Sequence, residues 1–487
     1  MVATHSRLPL GRIRARTAIL CVLLLFGSRA IAQSMPVSPD HPWHGVGEQR
    51  IEADAKNFRE STFSTDPAKS YSLAELIDLA ETHNPETHFA WERARVQAAV
   101  LSVARSELFP ILAAAALSQT NREETYLETR FFRQTFQDFQ VALDLNYTVF
   151  DFGARVDRIA AAKAEVLAAN FDFNDTHRSV IYRVEQAYYQ LLNASGQEDA
   201  ARASLSNAQG VQQSAEERLN NGLATLPDVL EARSATATAE YEMQAAVGAE
   251  EIAQGNLATA LGTSPTATIH VETLNELPTP DSIGDSVASA INRAVAQRPD
   301  LMRLVADLRS SNARVKEARA AYYPSLSVNV NPVAQSLYGL QQTLPWGHTA
   351  GLTGGLTLSL NWTVFDGGAR KHNVVQAEAN VRAAEAQASA ARDEIANQVW
   401  AAYSNLNTAF RQRQAATALL EAASQSYDSA LESYNYGLRN FLDVTAAQRA
   451  LAQARSTDVL ARTQVLTALA DLAFRTGDSI KPAATRP

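Results

Sequence analysis

Cysteine is almost absent from this 487-residue chain: Cys21 stands alone. It lies in an apolar N-terminal stretch that reads as part of a secretory signal, so the mature protein is expected to have no disulfide and no thiol chemistry. Long apolar runs are missing too. Outside that stretch nothing approaches the roughly 18 residues of a membrane-spanning helix, which leaves a closed β-barrel as the way to cross a bilayer. Positive charge is short: 43 Lys and Arg stand against 52 Asp and Glu, a formal net charge of −9. Without a basic cluster, that balance argues against a nucleic-acid partner. Catalytic patterns are also lacking. The nine histidines are scattered, with no His-Glu-x-x-His, phosphate loop or Gly-x-Ser-x-Gly. No catalytic residue, metal ligand or cofactor is therefore assigned, and the many helical acids read as a solvated face.

Residues 1–32 have the form of a signal peptide. Arg7, Arg12, Arg14 and Arg16 make a basic start, Ala18 to Phe26 an apolar core, and Ala30-Ile31-Ala32 a small-residue cleavage site. An uncleaved anchor helix is the alternative. Leu20 precedes Cys21 where a lipoprotein signal needs a small residue, so no lipid anchor is expected. Taking the five arginines of this segment from −9 leaves a mature charge near −14. Residues 33–68 are polar, rich in Pro and His and without period, and read as an extended N-terminal arm.

What is there is a duplication. Tyr147-Thr-Val-Phe-Asp-Phe-Gly-Ala-Arg155 returns as Trp362-Thr-Val-Phe-Asp-Gly-Gly-Ala-Arg370, and the offset is 362 − 147 = 215. Ala104-Arg-Ser-Glu-Leu-Phe-Pro110 returns as Ala318-Arg-Ala-Ala-Tyr-Tyr-Pro324, offset by 324 − 110 = 214. The pattern divides the chain into a first repeat at 69–262, a Pro-rich linker at 263–281 with a short strand near Thr268–Val271, a second repeat at 282–477 and a loose tail at 478–487. Each repeat opens with a short helix. The first is capped by Ser72-Leu-Ala-Glu75 and broken at Asn84-Pro85; the second spans Ser282 to Gln297 and breaks at Arg298-Pro299. A second helix then runs to Pro110 or Pro324.

Strands follow. Val141, Leu143, Leu145, Tyr147 and Val149 alternate with Gln140, Ala142, Asp144, Asn146 and Thr148. Leu326, Val328 and Val330, and then Leu356, Leu358, Leu360, Trp362 and Val364, alternate in the same way. Ile111 to Ser118, mostly Ala, is a weak fourth. Apolar-out, polar-in runs of about ten residues are the transmembrane-barrel pattern; a soluble sandwich with one wet face is the alternative. Gln119 to Asp138 and Pro332 to Ala350 are expected as polar outer loops. Ala-rich helices of about 154–219 and 369–435 come next, each ~100 Å long at ~1.5 Å per residue. Each turns at a tip, Gly222-Leu223 or Gly437-Leu438, and returns. Thr225 to Asp228 and Asn440 to Asp443 have the spacing of a cap and its third-position acid.

Together these doubled motifs resemble the TolC-like outer-membrane channel family, over about residues 70–476. The resemblance implies a mainly α fold with a β-barrel part. Long helical hairpins form a periplasmic tunnel, and four strands per protomer contribute to a twelve-stranded barrel in a homotrimer. It also implies an exit duct in the outer membrane of a Gram-negative bacterium, contacting outer-membrane lipid and serving a periplasmic adaptor and an inner-membrane pump of the RND, ABC or MFS type. By that resemblance Asp228, Tyr434 and Arg439 stand at gate positions and Asp443 at a constriction ring, where Ala446 replaces the family's second acid. Gly222, Leu223, Gly437 and Leu438 stand at adaptor-contact tips. Both acids and both glycines could instead serve as plain helix caps, and Tyr434 could only pack. A periplasmic adaptor and a structural coiled coil are the rival functions. No lipoyl-like β-domain supports the first, and no sustained Leu or Ile heptads support the second. Four strands alone are too few to close a barrel with a polar lumen, which requires oligomerisation on physical grounds.

Overall fold

The computed structural model describes residues 40, 47–57, 69–127, 130–274, 286–341 and 347–478. The expected signal peptide, most of the arm, part of the linker and nearly all of the tail lie outside the described residues. The chain forms two compact units, Met1–Glu60 and Ser61–Pro487. The described part of the first contains helix α1 (Glu48–Lys56), which is almost wholly exposed. It corrects the expectation of an extended arm. Nine residues are too few to display a period, but Glu48 in the first turn and Lys56 in the last suit the helix dipole.

The second unit contains β1 (Ser70–Tyr71), α2 (Leu73–His83), α3 (Pro85–Ser106), β2 (Ile111–Leu127), β3 (Arg130–Phe150), α4 (Ala154–Asn220) and α5 (Leu226–Ala260). It continues with β4 (His270–Val271), α6 (Val287–Gln297), α7 (Pro299–Ala320), β5 (Ser325–Gln341), β6 (Gly347–Asn361), α8 (Ala369–Asn435) and α9 (Phe441–Thr476). Among the described residues α6 starts at Val287 rather than Ser282, because Ser286 supplies the cap by accepting from the Ser289 amide.

The same helix-end device occurs twice. Asn84 accepts from the Glu86 amide at 2.8 Å, starting α3, and its Nδ2 donates to Ala260 O at 2.9 Å, closing α5. Arg298 holds the equivalent place in the second repeat. It binds Asp300 at 2.6 Å and reaches Arg475 O, at the end of α9, at 3.5 Å. Arg178 of α4, 1% exposed, donates to the neighbouring carbonyl of Phe474 at 2.5 Å and pairs with Asp175 at 2.7 Å. Two buried guanidinium groups thus occupy the carbonyl end of α9, where the dipole favours cations.

α4 and α8 have 67 residues each. Helices of that length need partners throughout, and small residues allow close approach. A Cβ on Gly196 of α4 would lie 2.7 Å from Val459 of α9. The short helices cover the wall at matching places. Leu76 and Ala80 of α2 pack on Val184, Tyr188 and Leu191 of α4 and Leu257 of α5, while Ala290 and Ala294 of α6 pack on Ile395 and Val399 of α8. β1 and β4 pair in parallel beside the first cluster, to which Tyr71 and Ile269 belong.

The four long strands form one antiparallel sheet in the order β2-β3-β5-β6. Its register puts Val141, Leu143, Leu145 and Tyr147 on one face with Val328, Val330, Leu356 and Leu358. The other face carries Asp138, Gln140, Asp144, Asn146, Asn329 and Ser359. Carboxamides surround both carboxylates there: Gln140 and Gln335 donate to Asp138 at 2.5 and 3.0 Å, and Asn146 and Asn329 to Asp144 at 2.8 and 3.2 Å. The segments expected as outer loops are largely strand. The hairpins exceed the roughly 9–11 residues that span a bilayer, so their ends enter water and lose the apolar pattern while keeping the ladder.

The doubled Asp-x-Gly-Ala-Arg motif makes one turn twice. Asp151 accepts from the Gly153 amide at 3.3 Å and from Arg155 N and Nε at 3.1 and 2.8 Å; Asp366 does the same to Gly368 and Arg370 at 3.1, 3.0 and 2.7 Å. The strands before it differ. Tyr147–Phe150 is strand and pairs with β5, whereas β6 stops at Asn361, opposite Ser325 where β5 begins. At the x position Gly367 has φ 66 and Phe152 φ 54. A left-handed phenylalanine is strained by ~1–3 kcal/mol; stacking on Tyr323 at 4.8 Å and an edge contact with Phe150 at 4.7 Å hold it.

Pro332 lies inside β5, an interior strand, and the β3–β5 ladder skips the residues opposite it. On the other side it faces Gly354, where an added Cβ would meet Asn331 O and Pro332 Cα at 2.8 Å each. Gly354→Ala is expected to cost ~1–3 kcal/mol and to lower the thermal unfolding temperature of the detergent-solubilised protein. Gly355→Ala, whose Cβ meets nothing within 4 Å, should leave that temperature unchanged.

Candidate functional site

Both hairpins end in the same geometry. Leu223 N donates to Arg218 O at 2.8 Å and Gly222 N to Leu219 O at 2.9 Å; Leu438 N donates to Ser433 O at 2.8 Å and Gly437 N to Tyr434 O at 2.9 Å. This is the Schellman closure, with glycine at its left-handed position: Gly222 has φ 71 and Gly437 φ 74. The following leucine would ordinarily fold back on the helix. Here its counterpart is Arg218 or Ser433, and the leucines face solvent, Leu223 at 67% and Leu438 at 79% exposure. Leu226, Tyr436 and Leu442 are exposed beside them.

The two candidate acids are used differently. Asp228 is committed to its cap: its carboxylate accepts from Thr225 N at 2.9 Å and Thr225 Oγ1 at 2.7 Å. At the other tip Asn440 accepts from the Asp443 amide at 2.9 Å, which caps α9 without the aspartate side chain. Among the described residues the Asp443 carboxylate makes no hydrogen bond or ion pair.

Tyr434 is buried, at 5% exposure, in a cluster drawn from all four long helices: Val211 and Ala215, Val229 and Ala232, Ala430, and Phe441 and Val444. Phe441 meets its ring edge-on at 5.7 Å. Arg218 lies over the ring face at 4.5 Å and donates to Asn435 O at 3.0 Å. The guanidinium lies above the ring, and the hydroxyl has no hydrogen-bond partner among the described residues. Burial raises the Tyr434 pKa, Arg218 opposes it and Asp228 adds to it. Arg439 is exposed and makes no ion pair among the described residues. Within one chain, then, Asp228 and Tyr434 are close and Arg439 stands apart. Arg218 was not anticipated from the sequence; an arginine four residues before a tip glycine was the available signal. Glu231–Arg449 at 2.8 Å also ties the two hairpins together.

The unequal capping has a measurable consequence. Asp228→Ala removes the box and should weaken the tip by ~0.5–2 kcal/mol, raising amide hydrogen exchange at residues 226–229 several-fold. Asp443→Ala should leave exchange at 441–444 unchanged.

Two carboxyls of the wall titrate near neutrality. Burial pushes Glu185 up to about 7, and its Oε2 has no hydrogen-bond partner. A hydrogen bond with Glu198, followed by burial, pushes Glu250 up to about 7. A raised carboxyl binds its proton more tightly when folded. The stability it confers is complete below the ordinary value of 4.5 and lost as pH rises to about 7. Glu185→Gln should therefore match the parent in thermal unfolding at pH 4.5 and exceed it at pH 8, by ~1–3 kcal/mol. Glu250 contributes equally to both proteins.

Comparison with known proteins agrees with this architecture. Residues 76–263 and 290–478 match the outer membrane efflux protein family. Protein CyaE of Bordetella pertussis is 29% identical over 406 residues, 82% of this chain and 83% of that one. Outer membrane protein OprJ of Pseudomonas aeruginosa is 25% identical over 464 residues, 93% of each. The solved outer-membrane channel OprN superposes with TM-score 0.73 at 21% identity, covering 86% of this chain and 95% of its own. CusC gives 0.72 at 18%, covering 86% and 96%. Among the described residues no helix is long and apolar enough to cross a membrane. These matches favour neither an adaptor nor a coiled-coil protein. The chain belongs to the outer membrane efflux protein family, a family of transport channels, and is an outer-membrane channel protein.

Proposed function

We propose that three copies of the chain form one closed duct that carries solutes from an inner-membrane pump, through a periplasmic adaptor, to the cell exterior. The observation that carries this reading is the open four-stranded sheet, apolar on one face and polar on the other, with β2 and β6 as its two edges. Hydrocarbon cannot satisfy bare edges. Pairing β2 of one copy with β6 of the next closes a barrel of twelve strands around a polar lumen. The pump is of the RND, ABC or MFS type, and the exposed tip leucines, beside Gly222 and Gly437, are apolar handles for the adaptor. The signal peptide, arm, two repeats, linker and tail keep the boundaries given above.

At the tips, Asp228, Tyr434 and Arg439 hold the closed state: Asp228 caps α5 and Tyr434 packs the tip within each copy, while Arg439 is free to reach a neighbour. Exposed ion pairs contribute only ~0–1 kcal/mol each, so three symmetric sets hold a gate that docking can open. The free carboxylate of Asp443 supports its role as the constriction ring: three copies around a narrow axis attract cations.

Crosslinking in detergent should stop at trimer; monomer or dimer alone would sink the assembly. In a planar bilayer, Asp443→Asn should abolish most cation selectivity. Arg439→Ser with Tyr434→Phe should raise single-channel conductance. The phenylalanine retains the core because the lost hydroxyl had no hydrogen-bond partner among the described residues. Parental reversal potential and conductance in these variants would remove the site assignments while leaving the duct.

A further inference from the structure

The wall of long helices has two faces. On one, the segment after β4 lies against α4 and α9: Arg462 donates to Leu274 O at 3.4 Å, and Leu192 and Ser195 face the same segment. On the other, a cavity of about 720 Å³ opens between α4, α8 and α9. Gln464, two positions after Arg462, and Asn193, two before Ser195, line this cavity. Two positions are ~200° around a helix, so the cavity faces away from the strap. On the duct reading, on which this inference rests, the strap side is the outside, and the cavity opens into the lumen.

Its chemistry is specific. Gln190, Asn405, Gln412 and Gln464 bring four carboxamides from three helices, and none hydrogen-bonds another described residue. Tyr182 and Tyr189 add ring surface. Burial and the nearby Glu185 push the Tyr189 hydroxyl up to about 12, so it stays neutral. The one charged lining residue, Asp471, is engaged by the Tyr182 hydroxyl at 2.8 Å and Arg475 at 3.2 Å. The cavity therefore offers free donors and acceptors together with aromatic faces, and no unpaired charge, in a chain whose formal charge is −9. Its volume suits a small molecule.

We propose that this cavity is a lumenal binding station for uncharged, hydroxyl- or amide-rich aromatic solutes passing along the tunnel. Carboxamides exchange their waters for the solute's polar groups, and the tyrosine rings take its aromatic part.

The test is single-channel recording of the full assembly with 4-nitrophenyl β-D-glucoside as probe. Wild type should show reversible partial blocks whose frequency rises with probe concentration. Glucose, which lacks the ring, and 4-nitrophenyl phosphate, which is charged, should give none. Asn405→Ala with Gln464→Ala, both exposed positions, should keep the open conductance and shorten the blocks about tenfold, as expected for two lost hydrogen bonds. Normal conductance without blocks, or blocks of equal length in the double variant, would overturn the station alone. A protein that conducts nothing even as Arg439→Ser with Tyr434→Phe would overturn the duct as well.

Discussion

Close contact between very long helices is the constraint on which the periplasmic part depends. A 67-residue helix has no globular core to fold around, so its stability comes from neighbours along its whole length. Alanine at 8 of 18 buried positions in α4 and 5 of 10 in α8 helps make that possible, because each such contact is small and the backbones are near. Where the duty is heavier the residues change. Arg178 and Arg298 close the end of α9, and Leu76 with Leu257 plugs the outer layer where three helices meet.

Much of this was legible in the sequence because it is written twice. The Asp-x-Gly-Ala-Arg turn, the helix–Pro break and the tip glycine recur at nearly fixed spacing, and each has one physical role in both copies. The strands were legible where their apolar face needs lipid. Past that boundary the side chains become polar while the backbone pairing goes on. Composition reports the solvent rather than the ladder, and residues 119–127 and 130–138 therefore read as loop.

What the sequence could not disclose lies where the copies diverge. Phe152 and Gly367 occupy one backbone position, and only the stacking of Tyr323 explains how the first tolerates it. Asp228 and Asp443 share a spacing, yet Thr225 consumes one carboxylate and Asn440 leaves the other free. Tyr434 stands at a gate position by resemblance, and the structure shows its ring buried, with Arg218 laid over it. Such differences depend on which neighbour arrives in space, and no local pattern encodes that.

The bare edges of the β2-β3-β5-β6 sheet also govern biogenesis. A lone chain cannot enter the bilayer, because β2 and β6 would carry unpaired amides and carbonyls into hydrocarbon. On the duct reading proposed above, insertion and association are then a single event, with a rate that depends steeply on concentration. Until partners arrive, the newly exported chain keeps an apolar sheet face in water, with Val141 and Leu356 exposed. Such a chain needs a chaperone, and one left waiting is a ready substrate for periplasmic proteases.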